Sequence, residues 1–274
     1  MTQGGNCWTL FTPGIWKVLH AVLQRGRAIV KGGAGTATRT LGLLSGIFTY
    51  ARKMDYRKDN PVHGVARDKA KMRRIALSPD QYAALGSALN QSQDVWQARV
   101  GIVLIVLTGC RRSEIEKLKI SEVHAGGSCL ALADSKTGFS VRACGKPVLD
   151  LLQRISPRAS GEFVLPSIRS KGGFYGGLPN AWTRLKSSEP KLAGVTLRDL
   201  RRSFSSVADE CNLSIPTIGS LIGHSGSSIT DQYIIKADPA LVVAADLVTA
   251  EIMRRLGLKP DFPNFSSGPA AAKS

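Results

Sequence analysis

The side chains best suited to chemistry lie between Thr196 and Tyr233. This stretch holds three arginines, a histidine and a tyrosine, namely Arg198, Arg201, Arg202, His224 and Tyr233. Arginine keeps its positive charge at physiological pH, and its guanidinium group donates paired hydrogen bonds to anions. The segment therefore favours a site for an anion, with a tyrosine brought close to a cluster of cations.

Hydrophobic spacing predicts a helix that carries the arginines. Apolar residues recur three and four positions apart and predict one buried helix face, formed by Leu197, Leu200, Phe204, Val207 and Cys211. Thr196 can cap this helix at its start. Arg198 and Arg201 fall outside the apolar face, so we expect them to stay available for a ligand.

The histidine and the tyrosine are expected on the two elements that follow. Ser214 is typical of an N-cap, and Gly223 is typical of the residue just after a helix, so a second helix is predicted between them. His224 then lies just past a helix end. A third short helix that opens at Ser227 would carry Tyr233.

Net charge is the strongest signal in the composition. The 274 residues include 37 Lys and Arg against 20 Asp and Glu, which gives a net charge of +17 and a pI of about 10.1. Such an excess favours a polyanionic partner, and nucleic acid is a commoner one than an anionic membrane surface. A basic protein without such a partner is the alternative.

Several function classes are disfavoured by the sequence. Five scattered cysteines, none in a CxxC pair, predict reduced thiols in a cytoplasmic protein. The histidines show no zinc-ligand spacing and the glycine-rich stretches lack the Walker pattern, so we expect no metal and no cofactor. The apolar run 102–107 is too short to span a bilayer, and no membrane partner or signal peptide is expected.

Residues 1–74 are predicted to form a partial helical domain and a basic linker. An apolar stripe between Thr36 and Met54 predicts one packed helix. Residues 52–74 then hold nine Lys or Arg with Asn60-Pro61 and Gly64 as breakers. A solvated linker and a contact with a phosphate backbone both remain open for this stretch. The candidate DNA-binding residues are Arg52, Lys53, Arg67, Lys69, Arg73 and Arg74.

A second domain is predicted over residues 75–257, before a disordered tail at 258–274. Ser78 and Gln81 form a capping box, and helices follow to about Leu89 and over 95–107. Arg111 comes just after the turn at Thr108-Gly109, where backbone amides and the helix dipole would favour an anion. The fold class is mainly α with a small antiparallel β-hairpin or sheet.

Two further elements complete this domain. Short strands at 129–134 and 139–143 predict a hairpin with Lys136 at its tip, where a lysine is normally just a solvated charge. Asp238-Pro239 is typical of a helix start, and an apolar stripe from Leu241 to Leu256 predicts a helix that ends at Gly257.

Five separated boxes in this order resemble the tyrosine recombinase (phage integrase) family. The matching residues are 108–115 (TGCRRSEI), Lys136 in its hairpin, 198–203 (RDLRRS), 221–225 (LIGHS) and Tyr233. The likeness extends from roughly residue 36 to residue 247. It implies a catalytic domain preceded by a partial helical core-binding domain, acting on double-stranded DNA without a metal or cofactor.

The resemblance also implies a role for each residue. Tyr233 would attack a DNA phosphodiester to give a 3′-phosphotyrosyl link, while Arg111 and Arg201 clamp the non-bridging oxygens. His224 would donate a hydrogen bond to the same phosphate, and Lys136 would protonate the leaving oxygen. By the same resemblance the chain would assemble as a tetrameric synapse on DNA, with an accessory DNA-bending protein as a further candidate partner.

The sequence departs from the family pattern at Arg198, where the family usually has His or Lys. An arginine cannot accept a proton at neutral pH. Residues 1–35 are also too few to supply the N-terminal domains of longer members. Two hypotheses therefore stand: an active site-specific recombinase, or a catalytically impaired DNA-binding remnant of a mobile-element integrase. A related enzyme that only nicks and reseals DNA is disfavoured by the spacing around Gly223-His224.

Overall fold

The computed structural model describes residues 34–65, 76–135, 138–159, 161–224, 237–258 and 262–263. The chain divides into two compact units, Met1–Arg73 and Arg74–Ser274. In the first unit, helix α1 (Ala34–Lys53) packs Leu41 and Phe48 against Val62 and Val65. This small core buries part of the predicted apolar stripe of the helix.

The second unit is mainly helical with one small sheet. Its helices are α2 (Pro79–Gln91), α3 (Trp96–Thr108), α4 (Arg112–Glu116), α5 (Lys146–Ile155), α6 (Leu178–Ser188), α7 (Leu197–Glu210), α8 (Ile215–Ile222) and α9 (Pro239–Leu256). Short 3-10 turns lie at Ile120–Glu122, Ala125–Gly127, Ser156–Arg158 and Pro190–Leu192. The predicted fold class, mainly α with a small antiparallel sheet, is confirmed.

Helix α3 forms the centre of the core. Every residue from Ala98 to Thr108 is buried, because this helix is apolar all round and must be covered on all sides. Helices α5, α6, α7 and α9 pack around it. The core therefore fixes the end of α3, and with it the turn at Gly109 that leads into Arg111.

The sheet is antiparallel, in the order β1 (Val123–His124), β2 (Cys129–Ser135) and β3 (Gly138–Ala143). The predicted hairpin is thus present, and the short strand β1 extends it into a sheet. Leu130 of β2 pairs with Arg142 of β3, and the buried residues of β3 are Ser140 and Arg142. The polar set of this strand faces the core.

Local capping signals place most helix ends. The capping box of Ser78 and Gln81 is confirmed, as is the cap of α8 at Ser214. Asp238 caps α9, and Gly257 ends it with a left-handed backbone. Leu258 and Phe262, which the sequence assigns to a disordered tail, pack against the core, because α9 delivers the chain back to it.

Helix α4 departs from expectation. Arg111 is its N-cap, and the helix has only five residues, so its dipole is small. The Arg111 backbone N–H donates to Glu114 Oε2 at 2.7 Å. A side-chain carboxylate therefore occupies the helix start where the sequence predicted an external anion. In the described part of the chain, no helix is long and apolar enough to cross a membrane.

Candidate active site

A basic cleft of about 700 Å³ opens in the second unit. Four of the six predicted catalytic residues line it, namely Arg111, Arg198, Arg201 and His224. Arg112, Lys186 and Arg202 line it as well. The fold therefore brings together residues that lie up to 113 positions apart in sequence, from Arg111 to His224.

Arg201 ties two turns of the cleft together. Its Nη1 donates to the Gly109 carbonyl at 2.6 Å, and its Nη2 donates to the Ile222 carbonyl at 2.9 Å. The first turn leads into Arg111 and the second into His224. Because a guanidinium group has five N–H donors, two bonds leave the others, including Nε–H, for a ligand. Arg201 thus positions its neighbours and can still bind an anion.

Arg111 is held by Glu114, whose side chain is only 4% exposed. Arg111 Nη1 donates to Glu114 Oε1 at 2.6 Å, and the Arg111 backbone N–H donates to Oε2 of the same carboxylate. Charge-assisted bonds of this kind fix the direction of the guanidinium group. The Arg111 side chain remains 26% exposed, so its free N–H groups can reach a ligand in the cleft.

The two turns depend on glycine. Gly109 ends α3 with φ 59°, and Gly223 ends α8 with φ 65°, a left-handed conformation that side chains other than glycine rarely adopt. A Cβ at Gly109 would meet the Phe204 ring at 2.9 Å. Both turns therefore need a residue without a side chain, for conformation and for space.

Arg198 is positioned by the start of α7 and remains exposed. Thr196 caps the helix by accepting from the Asp199 N–H, and the buried Asp199 carboxylate accepts in turn from the Thr196 N–H at 2.9 Å. Arg202 pairs with the same carboxylate at 3.1 Å. Arg198 has no hydrogen bond or ion pair to any side chain that the structure describes, so its charge is free for a ligand.

His224 lies on the exposed rim of the cleft, just past the end of α8. Partial burial lowers its pKa below the ordinary value of 6.5, and the positive charges of Arg201, Arg111 and Arg142 lower it further. Its imidazole is therefore mainly uncharged at neutral pH. In that form one ring nitrogen can donate a hydrogen bond and the other can accept one.

Several predicted residues lie elsewhere. Arg52 and Lys53 are exposed in the last turn of α1, in the first unit. The remaining ones fall outside the described residues, namely Arg67, Lys69, Arg73, Arg74, Lys136 and Tyr233. The predicted third helix with Tyr233 and the hairpin tip with Lys136 stay predictions.

Comparisons with known proteins show which family the chain belongs to. The sequence model of the phage integrase family matches residues 76–239, which is more than half of the chain. The chain belongs to the phage integrase family. It is 27% identical over 216 residues to the integrase of Enterobacteria phage 434, covering 75% of this chain and 59% of that relative. The chain thus spans about three-fifths of the length of the curated relative.

Solved structures share the fold of this family member. The Tn1549 transposon integrase in complex with circular intermediate DNA matches with a TM-score of 0.63 at 16% identity, covering 85% of this chain and 84% of that one. A lambda integrase tetramer bound to a Holliday junction matches with a TM-score of 0.60 at 20% identity, covering 82% and 67%. At such identities the likeness shows the fold alone.

Two residues of this integrase family member escaped sequence reasoning. Glu114 holds Arg111, and its signal was a carboxylate three positions after the arginine, the same spacing as the capping box at Ser78. Arg142 is buried beside the cleft with only 1% of its side chain exposed. No local pattern in the sequence marks Arg142 as buried. Charged residues are almost never fully buried without a partner, so the sequence alone favours a place on the surface.

We predict that His224 titrates below 6.5 in the free protein, as measured by NMR of its ring protons. Replacing Arg111 by Gln should raise this pKa, because a nearby positive charge disfavours the imidazolium form. Lys171→Gln removes a charge outside the cleft and should leave the pKa unchanged. A wild-type value at or above 6.5 would contradict the assignment.

Proposed function

We propose that the chain is a site-specific DNA recombinase that cleaves and rejoins strands through a 3′-phosphotyrosyl intermediate on Tyr233. One observation carries the proposal: Arg111, Arg198, Arg201 and His224 line a single basic cleft in a member of the phage integrase family. We propose residues 75–257 as the catalytic domain, residues 1–74 as a partial core-binding domain with its linker, and residues 258–274 as a tail.

Two partly buried arginines, Arg111 and Arg201, would hold the bound phosphate. Arg111 and Arg201 have their inner N–H groups engaged by Glu114 and by backbone carbonyls, so the remaining donors can address non-bridging oxygens. Preorganised cations of this kind stabilise the charge that develops during transfer at phosphorus without any rearrangement. Negative charge on the reacting group is thereby compensated by side chains of this chain.

The proton transfers are assigned to different groups. Lys136 is proposed to protonate the leaving 5′ oxygen, while Tyr233 loses its proton on attack. Arg198 cannot take that proton at neutral pH. His224 lines the cleft and has a ring nitrogen that can accept a proton when the imidazole is uncharged. Burial and the nearby arginines lower its pKa and so favour the uncharged form, which makes His224 our candidate acceptor.

The proposed partner is double-stranded DNA. Exposed Arg52 and Lys53, followed by the basic stretch with Arg67, Lys69, Arg73 and Arg74, would lie along phosphates. We extend to this chain the tetrameric assembly seen for lambda integrase on a Holliday junction. An accessory DNA-bending protein is retained as a further candidate partner, and the reaction is proposed to need no metal.

A second function is favoured by Arg198. The reaction could require the His or Lys that the family usually has in place of Arg198. In that case this chain would bind DNA without cutting it, as an impaired remnant of a mobile-element integrase. A nicked suicide substrate, from which the cut product cannot be resealed, separates the two functions. An SDS-resistant DNA adduct of the wild-type protein supports the recombinase. DNA binding with no adduct supports the remnant, and Arg198→His should then raise activity.

We predict that DNA affinity falls steeply with salt. If about six phosphates are contacted, log K should fall with log salt at a slope of roughly −5, because released counterions set this dependence. Replacing Arg73 and Arg74 together by Ala should reduce the slope by roughly 2 and weaken all DNA sequences alike. Fluorescence anisotropy between low and moderate salt measures both quantities. A flat salt response would refute the DNA-binding assignment.

A further inference from the structure

Among the described residues near the cleft, Arg142 is the most deeply buried positive charge. It lies on β3 opposite Leu130 and is 1% exposed. Its neighbours in the sheet include two buried apolar side chains, Leu130 opposite it and Cys144 two positions further on. A guanidinium group at such a position loses its hydration, and desolvation of an ion costs several kcal/mol in a protein interior.

The cost is not offset by hydrogen bonds within the described residues. The Nε, Nη1 and Nη2 atoms of Arg142 are buried without a hydrogen-bond partner there. The nearest carboxylate oxygen is Glu114 Oε1, 3.8 Å from Nη2, and that oxygen already accepts from Arg111 at 2.6 Å. Arg142 is therefore an incompletely compensated cation.

Charge around Glu114 is unbalanced. Three guanidinium groups surround this one carboxylate: Arg111 at 2.6 Å, Arg142 at 3.8 Å and Arg201 at 4.0 Å. Three positive charges against one negative charge leave an excess of two. Because the surroundings of Glu114 are poorly solvated, this excess of positive charge attracts an anion more strongly than exposed cations do.

Arg142 also lies directly against the turn that presents His224. A Cβ built on Gly223 would approach Arg142 Nη1 to 1.1 Å, so the guanidinium group fills the space beneath the glycine. The positive charge of Arg142 reaches His224 and Arg201, since it contributes to lowering the pKa of each. The Arg142 side chain thus couples β3 to Arg201 and to His224.

We propose that Arg142 is a positioning residue of the phosphate site: its buried charge strengthens binding of the reacting phosphate by Arg111 and Arg201, and its bulk supports the Gly223-His224 turn. This inference rests on the proposed function. It adds a third arginine, behind the two that would touch phosphate, and it gives a role to an arginine at a position where an apolar residue would suit the core.

The test compares Arg142→Met with Arg142→Lys. Methionine fills much of the volume without charge, and removing a poorly compensated buried charge is often neutral or stabilising, so the melting temperature should not fall. Adduct formation on the suicide substrate at saturating DNA should nevertheless slow by about tenfold or more, because charge stabilisation at the phosphate is weakened. Lysine keeps the charge and should restore part of the rate.

Arg99→Met is the matched control. Arg99 is also buried, at 2% exposure, and lies nine residues before the end of α3, about 14 Å along the helix axis. Its replacement should leave the adduct rate near that of the wild type. DNA affinity should change by less than about threefold in all three variants, because exposed phosphate contacts dominate binding.

A second readout does not depend on cleavage. Inorganic phosphate should raise the melting temperature of the wild type above that in chloride of equal ionic strength, since a ligand bound only to the folded state stabilises it. The shift should shrink in Arg142→Met and persist in Arg142→Lys and Arg99→Met. If the wild type forms no adduct, the proposed function fails, and the phosphate shift still decides the role of Arg142.

The outcomes are separable. A loss in either readout that lysine restores supports the inference. Wild-type adduct rates together with wild-type phosphate shifts in Arg142→Met would overturn it. Loss of cooperative unfolding in both variants would overturn it as well, because Arg142 would then serve folding alone.

Discussion

Replacing Tyr233 by Phe should abolish the covalent DNA adduct while leaving folding and DNA binding intact. Phenylalanine keeps the ring and removes the only atom that can attack phosphorus. A tyrosine that served only packing would lose about 1 kcal/mol of hydrogen bonding, and activity would survive. The measurement is SDS gel electrophoresis of protein incubated with a labelled suicide substrate, with the wild-type adduct mapped to the peptide that contains Tyr233.

Tyr175→Phe is the control for this experiment. Tyr175 is half-buried, and its raised pKa is caused mainly by burial. It does not line the cleft, so its hydroxyl group should be dispensable for the adduct. An adduct that persists in Tyr233→Phe would reject the assignment of the nucleophile and would direct the search to another hydroxyl group.

Arg201→Ala should slow adduct formation by about 100-fold or more, because one group that stabilises developing charge is removed. It also leaves the carbonyl groups of Gly109 and Ile222 without their donor. Arg201→Lys retains the charge, but a single ammonium group lacks the planar fork that joins two separated carbonyls. We therefore expect the lysine variant to resemble the alanine variant more than the wild type.

Single-turnover rates at saturating DNA measure this effect, with the dissociation constant determined separately. Arg184→Ala is the matched control, because Arg184 pairs with Asp94 outside the cleft. It should react at nearly the wild-type rate. If Arg201→Lys proves fully active, charge alone is sufficient, and the bridging of the two turns has no part in catalysis.

Local signals were enough to predict most helix ends and the order of the site residues. Ser78 with Gln81, and Thr196 with Asp199, satisfy helix N–H groups within one turn, so their roles depend on neighbours in sequence. The family boxes likewise identified four residues of the cleft. Such features need no knowledge of how distant segments meet.

Arg142 and Glu114 could not be predicted in the same way. The alternation of Phe139, Val141 and Ala143 favours these as the buried set of β3, yet Arg142 is buried and they are half-buried. Glu114 gains its importance from arginines on three different elements. Interactions of this kind depend on tertiary contacts, which hydrophobic periodicity does not encode.

The bond from Arg201 to Gly109 joins residues 92 positions apart. A nascent chain that ends before Arg201 already contains Gly109 and Arg111, but it lacks the side chain that donates to the Gly109 carbonyl. The proposed phosphate site thus depends on contacts that only the complete second unit can make. If the proposed function holds, incomplete chains released during synthesis would carry basic surface that attracts DNA, without the assembled site that would cut it.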